Sequence, residues 1–172
     1  MIIKRINNFL PEDKFNLLKK YFEGSEVNWN FYSSSLDDDL LDDNYLFSCI
    51  VDNDEAKSNP NWIFFLSLLR EHIGEFELSR IKANIYPNQN KQVQHAFHCD
   101  PKNDDGSIPD DFITCVYNLT TCNGYTIVGD TKISSVENEM IVFPANTLHC
   151  GAVQTDTKTR VVFNINVKVI NI

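Results

Sequence analysis

Apolar residues recur first with a helical period and later with a strand period. Across residues 11–23, Phe15, Leu18 and Phe22 fall on one stripe. Pro11 stands in the first turn, where a missing N–H costs nothing, and Gly24 lies just past the end. Residues 60–73 carry a stronger signal. Asn59 can cap, Pro60 suits the first turn, Trp62, Phe65, Leu66 and Leu69 make an apolar face, and Gly74 ends it. Residues 2–6 are strand-like, and residues 25–32 place Trp29, Phe31 and Tyr32 at strand-like spacing. The polar and acidic run 33–44 reads as a solvated loop, and a second acidic stretch, 52–59, leads into the second helix.

From Phe76 onward the pattern turns to short alternating runs separated by turn residues. It predicts strands near 78–86, 92–99, 112–119, 124–128, 139–143, 147–153 and 159–170. Helices first and many short strands after imply a mainly β chain with flanking helices (α+β), an antiparallel sandwich backed by those helices. The expected organisation is one domain, 1–172, with a helical support region at 1–75 and the β core at 76–172. The last strand shows two faces: Val161, Phe163, Ile165, Val167 and Val169 on one, Arg160, Val162, Asn164, Asn166 and Lys168 on the other. The apolar row should pack under the helices. The second row would look into the sandwich, where an Arg and two Asn are costly unless they bind something.

The 172 residues, 42% hydrophobic and 12% aromatic, suffice for one real core. No run of about 18 apolar residues occurs and the start MIIKRINNFL lacks a signal-peptide core, so the expectation is a cytoplasmic chain with no membrane partner. Five cysteines, an odd number without a Cys-X-X-Cys pair, argue for reduced thiols rather than disulfides or a zinc knuckle. A net charge of −9, with no clustered Lys and Arg, disfavours nucleic acid as a partner.

Candidate chemistry centres on His98-Cys99-Asp100. In an extended strand His98 and Asp100 project to one face while Cys99 points away. His149 is the candidate second imidazole downstream. Two imidazoles and a carboxylate on one side of an iron(II) ion leave the other side open. Cys99 and Cys150 adjoin these residues and raise the alternative of a thiolate zinc site, which the same alternation disfavours. His95, three residues before His98, is expected on the opposite strand face, and His72 reads as a helix-end residue. The turn-rich stretch 101–111 follows the ligands directly, and its Asp104, Asp105, Asp110 and Asp111 suggest an acidic lip favouring cationic or neutral substrates.

His98 and Asp100, then His149 after Pro144-Ala145-Asn146, then Arg160 opening the final strand, resemble the family of 2-oxoglutarate- and iron(II)-dependent dioxygenases over residues 78–169. Tyr117-Asn118-Leu119 followed by Gly124-Tyr125-Thr126 looks like the prolyl-4-hydroxylase branch, although Asn123 replaces the first Gly of its Gly-Gly-X-Thr turn. The resemblance implies a double-stranded β-helix (jelly-roll, cupin-like) core, with His98, Asp100 and His149 as iron ligands and catalytic centre. It also implies Arg160 as the grip on the distal carboxylate of 2-oxoglutarate, with O2 as co-reactant. Val162 stands where relatives often carry a hydroxyl residue. Asn84 and Tyr86 share a strand face and could supply cosubstrate contacts instead; Tyr86 reads equally well as a core aromatic. The implied activity is hydroxylation of an amino-acid side chain, prolyl or similar, in a peptide or protein. A free amino acid or small metabolite as substrate, and a non-catalytic cupin-like metal or ligand-binding module, are the alternatives.

Overall fold

The computed structural model describes residues 3–32, 46–51, 53–100, 107 and 110–170. Among these the chain order is β1 (Lys4–Ile6), α1 (Glu12–Glu23), β2 (Asn30–Tyr32), β3 (Leu46–Val51), α2 (Asn53–Ser58), α3 (Pro60–Ile73), β4 (Phe76–Pro87), β5 (Phe112–Asn118), β6 (Cys122–Val128), β7 (Thr131–Ser135), β8 (Glu139–Pro144), β9 (His149–Ala152) and β10 (Thr159–Val169). The strands form a seven-stranded sheet, β1-β8-β5-β10-β4-β3-β2, and a three-stranded sheet, β7-β6-β9. The assigned strand pairs are all antiparallel. From β5 the chain passes to the small sheet for β6 and β7, returns for β8, crosses for β9 and returns for β10, the traffic of a jelly roll.

Both expected helices form for the reasons visible in the sequence. Asn59 accepts a hydrogen bond from the Asn61 N–H at 2.9 Å through its side chain, and Pro60 occupies the first turn of α3. Gly74 ends it at φ 84°, a conformation that favours glycine. In α1, Pro11 immediately precedes the first helical residue. The buried faces of α1 and α3 include Phe15, Phe22, Trp62, Phe65, Leu66 and Leu69. Phe22, Trp62 and Phe65 pack on Phe163 of β10, ring centroids 4.7–6.4 Å apart. The outward row of β10, Val161, Phe163, Ile165 and Val167, joins this core as expected. Val162 faces a second cluster between the sheets with Tyr86, Val116, Val128, Ile133, Ile141 and Phe143.

Four features differ from the sequence reading. Within residues 1–75 the strand-like runs at 2–6 and 25–32 form β1 and β2, and a strand that was not read, β3, joins them in the large sheet. The six-residue α2 lies within the acidic stretch 52–59. β7, TKISS, was not predicted because it is an edge strand of the small sheet whose one large apolar residue is Ile133. The expected strand at 92–99 is instead two isolated bridges, Gln94 with Ala152 and His98 with His149. Three residues separate the bridges on one side and two on the other, so a bulge breaks the ladder. The run 33–44 and most of the 101–111 stretch, including Asp104 and Asp105, lie outside the described residues. Among the described residues no helix is long and apolar enough to cross a membrane.

Candidate metal centre and anion pocket

The bridge between His98 and His149 sets the first half of the site. Each backbone N–H donates to the other's carbonyl at 2.9 Å, so the two imidazoles start from directly opposed positions. Their ring centroids lie 4.5 Å apart. Asp100 follows two residues on, its carbonyl accepting from Thr114 Oγ1 at 2.9 Å and from Asn166 Nδ2 at 3.4 Å. Its carboxylate accepts from Arg80 Nη2 at 3.2 Å. One ligand atom each from His98, Asp100 and His149 lies within 4.8 Å of the other two.

The imidazoles are oriented as ligands need to be. Nδ1 of His98 lies 3.2 Å from the Ala96 carbonyl and Nδ1 of His149 lies 2.9 Å from the Thr147 carbonyl. A proton on each Nδ1 leaves Nε2 with its lone pair free. Burial, and then the neighbouring His98, pull the His149 pKa down to about 4 against the opposing pull of the Thr147 carbonyl and Asp100. His149 is therefore neutral at pH 7, the form that binds metal. Two nitrogens and one carboxylate oxygen suit iron(II) in an open-sided site, so the residues present fit that ion. Cys99 and Cys150 are buried thiols that do not join the cluster. His72 sits in the last turn of α3 with its ring 5.9 Å from that of Phe9, away from the site.

Arg160 is 2% exposed and among the largest fully buried side chains of the described residues. It donates from Nε to Ser135 Oγ at 3.4 Å, from Nη1 to the Ala152 carbonyl at 3.2 Å, and from Nη2 to Thr126 Oγ1 at 3.1 Å. These acceptors are neutral. Among the described residues no carboxylate pairs with it, because Glu137 pairs with Lys19 at 2.6 Å and Glu139 with Arg5 at 2.7 Å. A guanidinium held by weak neutral acceptors out of water is a standing demand for an anion. Tyr86 lies beside it, ring centroid 5.9 Å from Arg160 Cζ, and burial raises its pKa so that it stays a neutral phenol. Asn84 donates from Nδ2 to Tyr86 Oη at 3.3 Å while its buried Oδ1 has no hydrogen-bond partner among the described residues. Asn84 and Tyr86 thus line the wall beside Arg160. Val162 is buried and apolar and offers no hydroxyl contact.

His95 corrects an expectation. Strict alternation put it opposite His98, but the bulge shifts it by one position, and its ring lies 5.0 Å from that of Tyr86. A side chain at Gly151 would meet both Arg160 Nη1, at 3.4 Å, and His95 Nδ1, at 3.8 Å, so His95 belongs to the pocket interior. Thr126 and Ser135, acceptors for Arg160, were also not anticipated. The sequence signal at Ser135 is a small hydroxyl on an inward strand position, and Thr126 in addition closes the Gly124-Tyr125-Thr126 run.

No family model and no curated protein matches the sequence. Solved structures do. The viral collagen prolyl hydroxylase of Paramecium bursaria Chlorella virus-1, in its 2-oxoglutarate complex, superposes with a TM-score of 0.62 at 15% identity, covering 98% of this chain and 97% of that one. A Trichoplax adhaerens prolyl hydroxylase, in complex with a hypoxia-inducible-factor peptide, gives 0.67 at 15% identity over 96% and 83%. The fold is that of the 2-oxoglutarate-dependent oxygenases. Its core is the expected double-stranded β-helix. The α-ketoglutarate-dependent epimerase SnoN of nogalamycin biosynthesis shares it as well, TM-score 0.66 at 11% identity over 96% and 76%, so the fold alone does not fix the reaction.

Proposed function

We propose that this protein is an iron(II)- and 2-oxoglutarate-dependent dioxygenase that hydroxylates an amino-acid side chain. The observation that carries the reading is the pairing, within one β core, of a His-Asp-His cluster with a buried Arg160 lacking any acidic partner among the described residues. Either feature alone has structural explanations; together they match a metal ion and a dicarboxylate.

His98, Asp100 and His149 would hold iron(II). When bound, that ion supplies the place where O2 oxidises 2-oxoglutarate to succinate and carbon dioxide and where one oxygen atom is delivered to a substrate C–H bond. Arg160 fixes the far carboxylate of the cosubstrate by a charge-assisted fork, and Tyr86 borders it as a neutral phenol. Thr147 and Ala96 hold the imidazole tautomers through their carbonyls, while Arg80 and Thr114 orient Asp100. The apolar cluster of Val116, Val128, Ile141 and Val162 keeps the interior dry, which strengthens each of these electrostatic contacts. Among substrates, a prolyl or similar residue in a peptide or protein is our first assignment, and a free amino acid or small metabolite the second.

Anaerobic titration with iron(II) and 2-oxoglutarate, watched for the visible charge-transfer band, tests the reading directly. A succinate-release screen over peptides and amino acids then separates turnover from binding. Absence of any metal-dependent 2-oxoglutarate binding would refute the proposal.

A further inference from the structure

Asn166, on the inward face of β10 and 1% exposed, is not used by the chemistry above, yet its whole amide is turned toward one metal ligand. Its Oδ1 accepts from Arg80 Nε at 3.2 Å and from Arg80 Nη2 at 3.0 Å. Its Nδ2 donates to the Asp100 carbonyl at 3.4 Å and to Thr114 Oγ1 at 3.2 Å, and that hydroxyl donates to the same carbonyl at 2.9 Å. Arg80 Nη2 in turn reaches the Asp100 carboxylate at 3.2 Å. Asp100 is thus held at both ends, its backbone by Asn166 directly and its carboxylate by the cation that Asn166 seats.

The sheet is shaped to allow this. Arg80 stands opposite Asn166, but Leu78 stands opposite Val167, so Ser79 is an extra residue in β4. Strict alternation would put Leu78 and Arg80 on one face. The bulge lets Leu78 join Val167 in the helix-side core while Arg80 points to the metal centre. The side chains of Arg80 and Asp100 are 35% and 33% exposed, and an ion pair that open usually contributes little, because the two partners must order each other. Here a buried amide fixes Nε and Nη2 from behind, so the guanidinium is already aimed at Asp100 before a metal arrives. A cation fixed beside a ligand carboxylate draws charge from it and repels the ion it holds, more strongly for iron(III) than for iron(II).

We propose that Asn166 and Arg80 are positioning residues that tune the metal: Asn166 seats the guanidinium against Asp100, and the seated charge favours iron(II) over iron(III) at the site. This role rests on the iron half of the oxygenase reading and adds to it how the resting ion is kept in the reduced form that O2 chemistry at such a site requires.

The test uses the full chain loaded with iron(II) under argon and reads the midpoint potential of the iron(III)/iron(II) couple by mediated redox titration, with no 2-oxoglutarate present. Arg80→Met should raise the preference for iron(III) about 10-fold, a fall of ~59 mV for one electron. Arg80→Lys should lie between the parent and Arg80→Met, because it keeps the charge but loses the two-point seat on Asn166. Asn166→Ala should lower the potential in the same direction by a smaller amount. A merely structural role gives the opposite sign: an Asp100 that loses its place weakens iron(III), which leans more on an anionic ligand, and the potential rises. A cooperative thermal transition in each variant reports that it is folded, and Asn166→Ser, which keeps a hydroxyl, replaces Asn166→Ala if that variant lacks one. An unchanged or raised potential in Arg80→Met overturns the inference, and so does an unchanged or raised potential in the Asn166 variant. If the parent holds iron(II) but binds no 2-oxoglutarate, the oxygenase reading falls alone; if it holds no iron(II), both fall together.

Discussion

At Phe163 and Arg160 the two faces of β10 are equally out of water and do opposite things. Phe163 on the outward face is 0% exposed and Arg160 on the inward face 2%. The outward row meets the aromatic rings of α1 and α3 and is satisfied by packing alone. The inward row presents Arg160 to neutral acceptors, and Asn166 to Arg80, Thr114 and the Asp100 carbonyl. Burial as such therefore says little about role. What distinguishes the faces is the kind of partner each buried group has, and among the described residues Arg160 on the inward face meets neutral acceptors alone.

The largest effect should come from the inward side. Alanine at His149 or Asp100 should abolish turnover and weaken iron binding by more than the roughly 10- to 100-fold typical of changes around a metal site's periphery. The melting temperature should move little, since the outward face carries the main core. Iron affinity, succinate release and thermal unfolding measured on the same preparations decide this, and turnover by His149→Ala at normal iron occupancy would count against the assignment. The outward face should behave in reverse. Phe163→Ala should cost about 3–5 kcal/mol of unfolding free energy, read from denaturant titration, while the folded fraction keeps its iron and 2-oxoglutarate affinities.

Arg160 sharpens the comparison because it is buried like a core residue yet predicted to act like a ligand. Arg160→Ala should weaken 2-oxoglutarate by about 2–4 kcal/mol with iron affinity nearly unchanged. Arg160→Lys should fall between, keeping the charge but losing the fork. A structural role would instead lower stability and iron retention together. The acids that could have served such a role, Glu137 and Glu139, are paired with Lys19 and Arg5.

Periodicity explains what could be read beforehand. Strong 3.6-residue faces with Asn59, Pro60 and Gly74 at their ends located α3, and strict alternation in β10 separated core from site. The spacing of His98, Asp100, His149 and Arg160 pointed to the residues that the fold brings together or buries. Alternation misled where the ladder is interrupted: one extra residue between the bridges at Gln94 and His98 turned His95 inward, and no local residue pattern announces a bulge of that kind. Arg80 was missed because a half-buried cation in a strand looks like an ordinary surface residue until Asp100 is seen beside it.

The smallest predicted effect concerns two glycines that both face Arg160. A Cβ on Gly124 would lie 2.8 Å from Arg160 Cδ and 3.0 Å from the Ala152 carbonyl oxygen, the acceptor for Arg160 Nη1. A methyl group there must displace either the side chain or the backbone that positions it. On Gly151 the nearest atom would be Arg160 Nη1 at 3.4 Å, which a guanidinium can relieve by a slight shift. Neither glycine is among the positive-φ residues, so steric approach rather than backbone freedom separates them. Gly124→Ala should therefore weaken 2-oxoglutarate by roughly 1–2 kcal/mol, about 10-fold, with iron affinity unchanged, and Gly151→Ala by clearly less. This gives the glycine at 124, inside β6 where its register shifts, a physical reason: it is the floor against which the aliphatic stem of Arg160 lies. Equal 2-oxoglutarate affinities for the two variants would show that the stem is free to move, and that the anion pocket is set by the fork's acceptors, Ser135, Thr126 and Ala152, instead of by close packing.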